Sequence, residues 1–447
     1  MAQNNYKSPL TLIDISSSLQ PEHKKRYPLP TTHYLLQAET SRLHSHLKNL
    51  GWTESDCAVI APMTLEINRL KKEQNTIILA HSYQSPDIMY GVADVIGDSY
   101  GLSKIAQETK ADTIIFCSVL FMGETAKILN PTKRVLVPSR AGCSLADSIT
   151  AAAVRELKQQ HPGAPVVCYV NTSAEVKAES DIACTSSNVY QIVKNLPNNK
   201  IIFIPDELMA ANLVASLRDS PPLEEGTPLS GATCLPAGRR SNPVAPASLR
   251  DSPPLEEGTP LSGATKQSRS PASLRGVAAT KQSLCNKEST KQIITWPGRC
   301  IVHEQFTPES VEAIRKQFPG VKILAHPECK PEVTAKADFV GSTTAMLNYI
   351  KSDSPSTGYE LRVTSPYMII SECGLTDRIK SENPEEKIVG TCVMCPYMKQ
   401  IQLKDVLKAL KDPTPDQLVE IPADVLNKAK KTFDEMYKWE IPMGEVK

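Results

Sequence analysis

The stretch Lys322–Cys329, KILAHPEC, starts as a buried strand and ends in an imidazole, a proline, a carboxylate and a thiol. An uninterrupted apolar run such as Ile323–Ala325 is typical of a strand covered on both faces of a parallel sheet. Ligands of such sheets gather beyond the carboxyl ends of the strands. The stretch therefore predicts an α/β fold in which His326 and Glu328 face a binding site.

The segment that contains this stretch repeats an earlier part of the chain. VRELKQQHPGAPVVCYVN from Val154 matches VEAIRKQFPGVKILAHPE from Val311, 157 positions later. Each copy reads as an amphipathic helix stopped by Pro-Gly and followed by a buried strand. A looser third copy begins with TIILAHSYQ at 76–84. The equivalent strand-end residues are His81 and Tyr83, Tyr169 and Asn171, and His326 and Glu328.

Further along each copy, an aspartate and a hydroxyl residue recur. The aspartates are Asp94, Asp181 and Asp338, and the hydroxyl residues, each just before an apparent helix, are Ser99, Ser186 and Thr343. Hydroxyls and free N–H groups at helix starts favour anions, so carboxylates or phosphates are plausible substrates. The competing interpretation of any one such hydroxyl is a simple N-cap.

Each copy ends in a strand that runs into a cysteine, at Cys143, Cys300 and Cys395. One thiol from each of three units suggests a metal centre with three protein ligands, suited to zinc or to an iron–sulfur cluster. Cys392 forms a C-x-x-C with Cys395, which also fits a redox pair or half a zinc site, but the symmetry favours Cys395 as the ligand. Small buried residues are expected at Cys117, Cys168, Cys184, Cys329 and Cys373.

A repetitive segment interrupts the second copy. ASLRDSPPLEEGTPLSGAT occurs twice without change, at 215–233 and 247–265. A proline-rich stretch without aromatic residues buries too little apolar surface to offset its ordering entropy, so it predicts a disordered insert at about 214–286. Cys143 and Cys300 are 157 positions apart and Cys300 and Cys395 only 95, a difference close to the length of the insert.

These patterns predict an α/β fold of three pseudo-threefold-related, three-layer units with parallel sheets around a central cluster. The predicted organisation is an N-terminal extension (1–58), unit 1 (59–147), unit 2 with its insert (148–301), unit 3 (302–394) and C-terminal helices that pack back on the core (395–447).

Composition narrows the class of protein. The chain has 447 residues, 40% of them hydrophobic, and a net charge of +1. No basic block suggests nucleic acid, and no apolar run has the length of a signal peptide or a membrane span. A soluble cytoplasmic protein is therefore expected.

The assembled motifs resemble the quinolinate synthase family, iron–sulfur enzymes of NAD biosynthesis. The matching motifs, in family order over roughly 59–410, are ILAHSYQ, GDS, FMGETAKILNP, AGCSLAD, YVNTSAEVKA, CTSSN, PGRCIVHE, AHPEC, GST and CPYM. One departure is PDELMAANL at 205–213, where many members have Asp-Arg-Asn-Leu-Gly, and it questions the packing at that edge of unit 2.

The resemblance implies that Cys143, Cys300 and Cys395 hold one 4Fe-4S cluster with one open iron. It implies condensation of iminoaspartate with dihydroxyacetone phosphate to quinolinate, with release of phosphate and water, and coupling to the enzyme that supplies iminoaspartate. The implied substrate-binding residues are His81, Ser99, Tyr169, Asn171, Ser186, His326, Glu328 and Thr343. Tyr83, His303 and Glu328 are the choices for proton transfer.

Two other functions compete with this one. The first keeps the cluster but makes the protein a hydro-lyase on a simple hydroxy acid. The second is a non-catalytic iron–sulfur sensor, which the balanced charge and the lack of a helix-turn-helix pattern disfavour.

Overall fold

Strands and helices alternate along the chain. The structure is a computed structural model and describes residues 11–12, 32–218, 291–353 and 365–439. These residues all belong to one compact unit. The predicted disordered insert lies outside the described residues, except for its first few positions, which are helical up to Arg218.

The elements follow in chain order. The strands of the described residues are β1 Thr11–Leu12, β2 Thr76–His81, β3 Val95–Gly97, β4 Thr113–Cys117, β5 Arg134–Leu136, β6 Val166–Tyr169, β7 Ile182–Cys184, β8 Lys200–Ile204, β9 Gln292–Thr295, β10 Lys322–Ala325, β11 Phe339–Val340 and β12 Tyr367–Ile370. The helices are α1 Thr32–Leu47, α2 Glu54–Glu73, α3 Pro86–Gly91, α4 Ser99–Glu108, α5 Leu120–Leu129, α6 Ala151–Gln160, α7 Ala174–Ala178, α8 Val189–Asn195, α9 Glu207–Arg218, α10 Pro308–Gln317, α11 Pro331–Thr334, α12 Thr343–Asp353, α13 Cys373–Glu382, α14 Leu403–Lys411 and α15 Ala423–Lys438.

Three sheets share one strand order. They run β1-β3-β2-β4-β5, β7-β6-β8-β9 and β11-β10-β12. Within the described parts of the chain, all strand pairs are parallel except that of β1 with β3. In each sheet the strand that opens the repeat lies between the two strands that follow it in sequence. The predicted α/β class with parallel sheets is therefore confirmed.

The central strands are covered on both faces. In β2, Leu79 packs into one apolar cluster, whereas Ile78 and Ala80 pack into another with residues of α1, α2 and α14. In β10, Leu324 packs on one side and Ile323 and Ala325 on the other. Since successive side chains point to opposite faces, this alternation places apolar layers on both sides of the sheet.

The three repeat aspartates hold each central strand to the helix before it. A carboxylate oxygen accepts the N–H of an early strand residue in the pairs Asp94–Ile78 (2.8 Å), Asp181–Val166 (2.8 Å) and Asp338–Ile323 (2.7 Å). The same aspartates pair with a basic residue of the preceding helix, Lys71, Lys158 and Arg315 respectively. This equivalence explains why the aspartates recur at a fixed offset although they do not face a site.

Helices α14 and α15 pack on the first two sheets. α14 buries Val406 and Leu410 in the cluster of α2, and α15 buries Phe433 and Met436 in the cluster of the second sheet. The predicted boundary between residues 58 and 59 falls inside α2. None of the described helices has the length and apolar content that crossing a membrane requires.

Candidate active site

A cavity opens where the central strands end. All of the predicted site residues line it: His81, Tyr83, Ser99, Cys143, Tyr169, Asn171, Ser186, Cys300, His303, His326, Glu328, Thr343 and Cys395. The carboxyl ends of the central parallel strands deliver the polar groups to one place, as the fold class requires.

The three cysteines begin three equivalent turns. A short 3₁₀ helix starts three residues after each of them, at Ala146–Ser148, His303–Gln305 and Met398–Gln400. The carbonyl of each cysteine accepts the N–H of the residue four positions later, at 2.9, 3.0 and 3.2 Å. Each sulfur also accepts backbone N–H groups from the residues two and three positions later. Such a turn suits a thiolate because its unpaired N–H groups point at the sulfur.

The three thiols are free and close enough to affect one another. Burial raises the pKa of Cys143 to about 12, and the Cys395 thiol adds to this rise. Burial also raises the pKa of Cys300 and of Cys395. Neutral thiols are the expected form without metal, and a bound metal ion would displace their protons.

A second wall of the cavity is a hydrogen-bonded chain of acid–base groups. Tyr169 donates its hydroxyl to Glu328 Oε1 at 2.6 Å, and His303 Nδ1 lies 2.9 Å from Glu328 Oε2. His303 Nε2 lies 3.2 Å from Ser371 Oγ, which in turn lies 2.7 Å from the Tyr83 hydroxyl. Glu328 thus has a partner on each carboxylate oxygen, and Tyr83 is connected to it through His303.

The surroundings of the cavity shift the pKa values of several of its acid–base groups. Burial by itself raises the pKa of Glu328, but His303 and His326 and the hydrogen bonds from His303 and Tyr169 together hold it below its ordinary value. Burial lowers the pKa of His81 and His326 to about 3 and raises that of Tyr83 and Tyr169 well above their ordinary values. At neutral pH Glu328 is therefore a carboxylate, while His81 and His326 are neutral imidazoles and Tyr83 and Tyr169 are neutral phenols.

The hydroxyl residues are not the helix caps. Asp98, not Ser99, caps α4 by accepting the N–H of Gly101 at 2.8 Å. Ser342 accepts the N–H of Ala345 at the start of α12, which leaves the buried Thr343 hydroxyl without a partner among the described residues. A buried unpaired hydroxyl that lines a cavity is a candidate ligand contact, so the N-cap interpretation does not account for Thr343.

The turn in KILAHPEC is held by the segment that departs from the family pattern. Asn212 of α9 donates from Nδ2 to the carbonyls of Pro327 and Cys329, both at 2.8 Å, and accepts the Thr334 hydroxyl at 2.6 Å. Helix α9 is therefore packed against the turn that carries Glu328.

One expectation for the cysteines is wrong. Cys373 is not a free buried thiol but forms a disulfide with Cys392, so Cys392 is paired away from Cys395. The other four thiols expected to be buried, Cys117, Cys168, Cys184 and Cys329, are free and buried, as predicted.

Sequence reasoning also missed Ser371, which links Tyr83 to His303. The signal was present, since Ser371 directly follows β12 and therefore lies at the carboxyl end of a parallel strand. Cys300, His303 and Glu328 have ligand atoms within 4.8 Å of one another, so this part of the cavity could also hold a metal ion.

Parallel α/β layers, with free thiols and an acid–base chain around one cavity, define an enzyme with a candidate metal centre. The family model described as quinolinate synthetase A protein matches residues 65–438, and the chain belongs to that family. It is 38% identical to the quinolinate synthase of Sinorhizobium medicae over 86% of this chain and 84% of that protein. The quinolinate synthases of Caulobacter vibrioides and Xylella fastidiosa strain Temecula1 are 35% and 37% identical over 90% and 83% of this chain and 88% and 85% of their own lengths.

Proposed function

We propose that this chain is a quinolinate synthase of NAD biosynthesis that condenses iminoaspartate with dihydroxyacetone phosphate and releases phosphate and water. The observation that carries the proposal is the cavity itself, where three equivalent cysteine turns face the Tyr83–His303–Glu328 chain. The names of the relatives agree with it. Coupling to the enzyme that supplies iminoaspartate, and a cytoplasmic location, are part of the proposal.

Cys143, Cys300 and Cys395 would hold one 4Fe-4S cluster. The residues fit this group because all three thiols are free, line one cavity and receive two backbone N–H groups each. A cluster with three protein ligands has an open iron, which would supply Lewis-acid chemistry at a substrate hydroxyl or carboxylate. His303 and Glu328, which hydrogen bond to each other, are assigned to proton transfer rather than to the metal.

The substrates are anionic, and the cavity offers them neutral donors. Ser99, Ser186 and Thr343 would bind a phosphate or carboxylate group, and the unpaired Thr343 hydroxyl is the strongest candidate. His81, Tyr169, Asn171 and His326 would complete the substrate site. Keeping His81 and His326 neutral leaves the Glu328 carboxylate as the proposed base close to the substrate.

Glu328, His303 and Tyr83 would move the protons. Glu328 is ionised and can accept a proton from a substrate carbon, while Tyr169 and His303 stabilise its charge through hydrogen bonds of 2.6 and 2.9 Å. Tyr83 stays protonated and can donate to a leaving hydroxyl, with Ser371 and His303 connecting it to Glu328. A base and an acid joined in this way fit the isomerisation and dehydration steps.

We extend the proposal to the architecture. The common strand order, the equivalent aspartate contacts and the equivalent cysteine turns support three units related by a pseudo-threefold axis around the cluster. The unit boundaries predicted from the sequence, 59–147, 148–301 and 302–394, belong to the same proposal.

Anaerobic enzyme supplied with both substrates tests the function. We expect one quinolinate per phosphate released, and no reaction with hydroxy acids alone. Glu328→Gln should keep its iron and lower the rate about 10²- to 10⁴-fold, the usual contribution of a general base. Water loss from a hydroxy acid without quinolinate formation would contradict the proposal and favour a hydro-lyase.

A further inference from the structure

The Ser144 hydroxyl contacts the chain on both sides of Cys300. Ser144 follows Cys143 directly in sequence. Its Oγ donates to the carbonyl of Arg299 at 3.0 Å and accepts the N–H of Ile301 at 3.2 Å. We propose that Ser144 is a positioning residue that fixes the Cys143 and Cys300 thiols relative to each other for metal binding. This inference rests on the cluster proposed above.

Neighbouring contacts hold the start of the Cys300 turn but do not reach Cys300. Trp296 Nε1 donates to the carbonyl of Ser148 at 2.9 Å. A Cβ on Gly298 would lie 2.5 Å from both the Pro205 carbonyl oxygen and Ser148 Oγ, so the chain passes closely between them. These contacts fix residues 296–298. The two peptide groups next to Cys300 are held by Ser144.

A hydroxyl suits this position because it donates and accepts at once. Alanine would leave the Arg299 carbonyl and the Ile301 N–H without this partner, and the two cysteine turns would lose the contact that reaches both sides of Cys300. Groups that orient metal ligands from outside the coordination sphere typically change metal affinity about 10- to 100-fold. Neither other cysteine has an equivalent neighbour, since Ile301 follows Cys300 and Pro396 follows Cys395.

The test compares four iron-loaded proteins under anaerobic conditions: wild type, Ser144→Ala, Ser144→Thr and Ser148→Ala. Ser148→Ala is the matched control, because that hydroxyl donates within the same turn, to Leu145 at 2.7 Å, and does not hydrogen bond to the Cys300 side. The readouts are the rate of iron loss to a chelator, the electron paramagnetic resonance spectrum of the reduced protein, and thermal unfolding.

Ser144→Ala is expected to lose iron about 10- to 100-fold faster and to change the spectrum, with Ser144→Thr and Ser148→Ala close to wild type. Iron loss from Ser144→Ala at the wild-type rate would overturn the inference. Equal acceleration in Ser148→Ala would also overturn it, because general loosening of the turn would then explain the effect. Wild type that holds no cluster would overturn the proposed cofactor together with the inference. A wild type that holds iron and makes quinolinate, beside an unaltered Ser144→Ala, would refute the inference alone.

Discussion

The turns of Cys300 and Cys395 have the same backbone form but are held by different chemistry. An ion pair between Arg299 and Glu207 lies beside Cys300, but the hydrogen bonds to the peptide groups next to Cys300 come from the neutral Ser144 hydroxyl. Around Cys395 the contacts are charged: the buried Glu372 carboxylate accepts the N–H of Cys395 at 3.0 Å and lies 3.1 Å from the Lys399 ammonium group. The same geometry can therefore be built from hydroxyls or from an ion pair.

The two turns also differ in exposure. Met394, which directly precedes Cys395, is 65% exposed to solvent. A disulfide between Cys392 and Cys373 holds the segment that leads into the Cys395 turn. The Cys300 turn is more buried, with Val302 and His303 only 2% and 1% exposed. A turn with little cover depends on its charges and its covalent link, whereas a covered turn depends on packing.

The largest expected effect separates Cys395 from its neighbour Cys392. Cys300→Ala and Cys395→Ala should each remove essentially all iron and activity, because each deletes a proposed ligand. Cys392→Ala should keep both, because that residue only supplies the disulfide. Iron and sulfide analysis of anaerobically purified variants is the measurement. Iron retained in Cys395→Ala but lost from Cys392→Ala would exchange their roles.

The disulfide should matter for stability and not for iron. The bridged residues are 19 positions apart, and closing a loop of this size stabilises a protein by about 3 kcal/mol. A Cys373→Ser/Cys392→Ser variant should therefore lower the free energy of unfolding by about that amount, measured with denaturant, at unchanged iron content. A reductant should lower the free energy of unfolding of wild type by the same amount and leave that of the variant unchanged. An unfolding free energy equal to that of wild type would show that the link does not stabilise the chain.

Acid should weaken the side of the cavity next to Cys300. There the rings of His303 and His326 stack at 4.6 Å, and burial lowers the pKa of His326 to about 3. The unfolded chain binds this proton near pH 6.5, so the stability from neutral His326 is present above that pH and is lost as the pH falls toward 3. Between pH 7 and pH 5 the loss due to His326 alone should be about 2 kcal/mol.

The variant His326→Asn tests whether His326 causes this loss of stability in acid. Asparagine can still accept the Glu328 N–H, which lies 3.4 Å from His326 Nδ1, but it does not titrate. Denaturant curves at pH 7 and pH 5 should show a smaller loss in this variant than in wild type. His33→Asn, at an exposed histidine outside the cavity, is the control and should leave the loss unchanged. An unchanged loss in His326→Asn would mean that another group carries the acid sensitivity.

The smallest expected effects on iron release come from two carboxylates, one beside each turn. Glu372→Gln keeps an acceptor for the Cys395 N–H but loses the ion pair with Lys399, so iron should be released about tenfold faster. Glu207 pairs with Arg299 beside Cys300 at 2.8 Å, but the two side chains are 30% and 48% exposed. Glu207→Gln should change the rate less than about twofold, because exposed ion pairs contribute little. Equal rates of iron release in the two variants would contradict the view that only the Cys395 turn depends on an ion pair.

The repeat made the fold predictable. The 157-residue offset between Val154 and Val311 predicted the central strands β6 and β10. The same offset relates Asp181 to Asp338, and their contacts are equivalent. Buried strands and helix stops are local features, so periodicity and Pro-Gly signals identify them. The polar residues at strand ends followed from the same rule.

Features without an equivalent in the other copies could not be found in this way. Nothing near Cys373 indicates its pairing with Cys392, because an apolar setting also suits a free buried thiol. Asn212 and Ser144 act through contacts to residues 115 and 155 positions away, which a sequence pattern does not encode. Tertiary contacts of this kind are set by how the units meet.

Lys399 joins two parts of the site that are usually considered separately. Its ammonium group binds the Glu372 carboxylate, which accepts the N–H of Cys395, and it also donates to the carbonyl of Tyr83 at 2.8 Å. A reagent that acylates this amine would disturb a proposed metal ligand and a proposed proton donor in a single event. Chemical labelling at this one lysine would therefore mimic the combined loss of both functions.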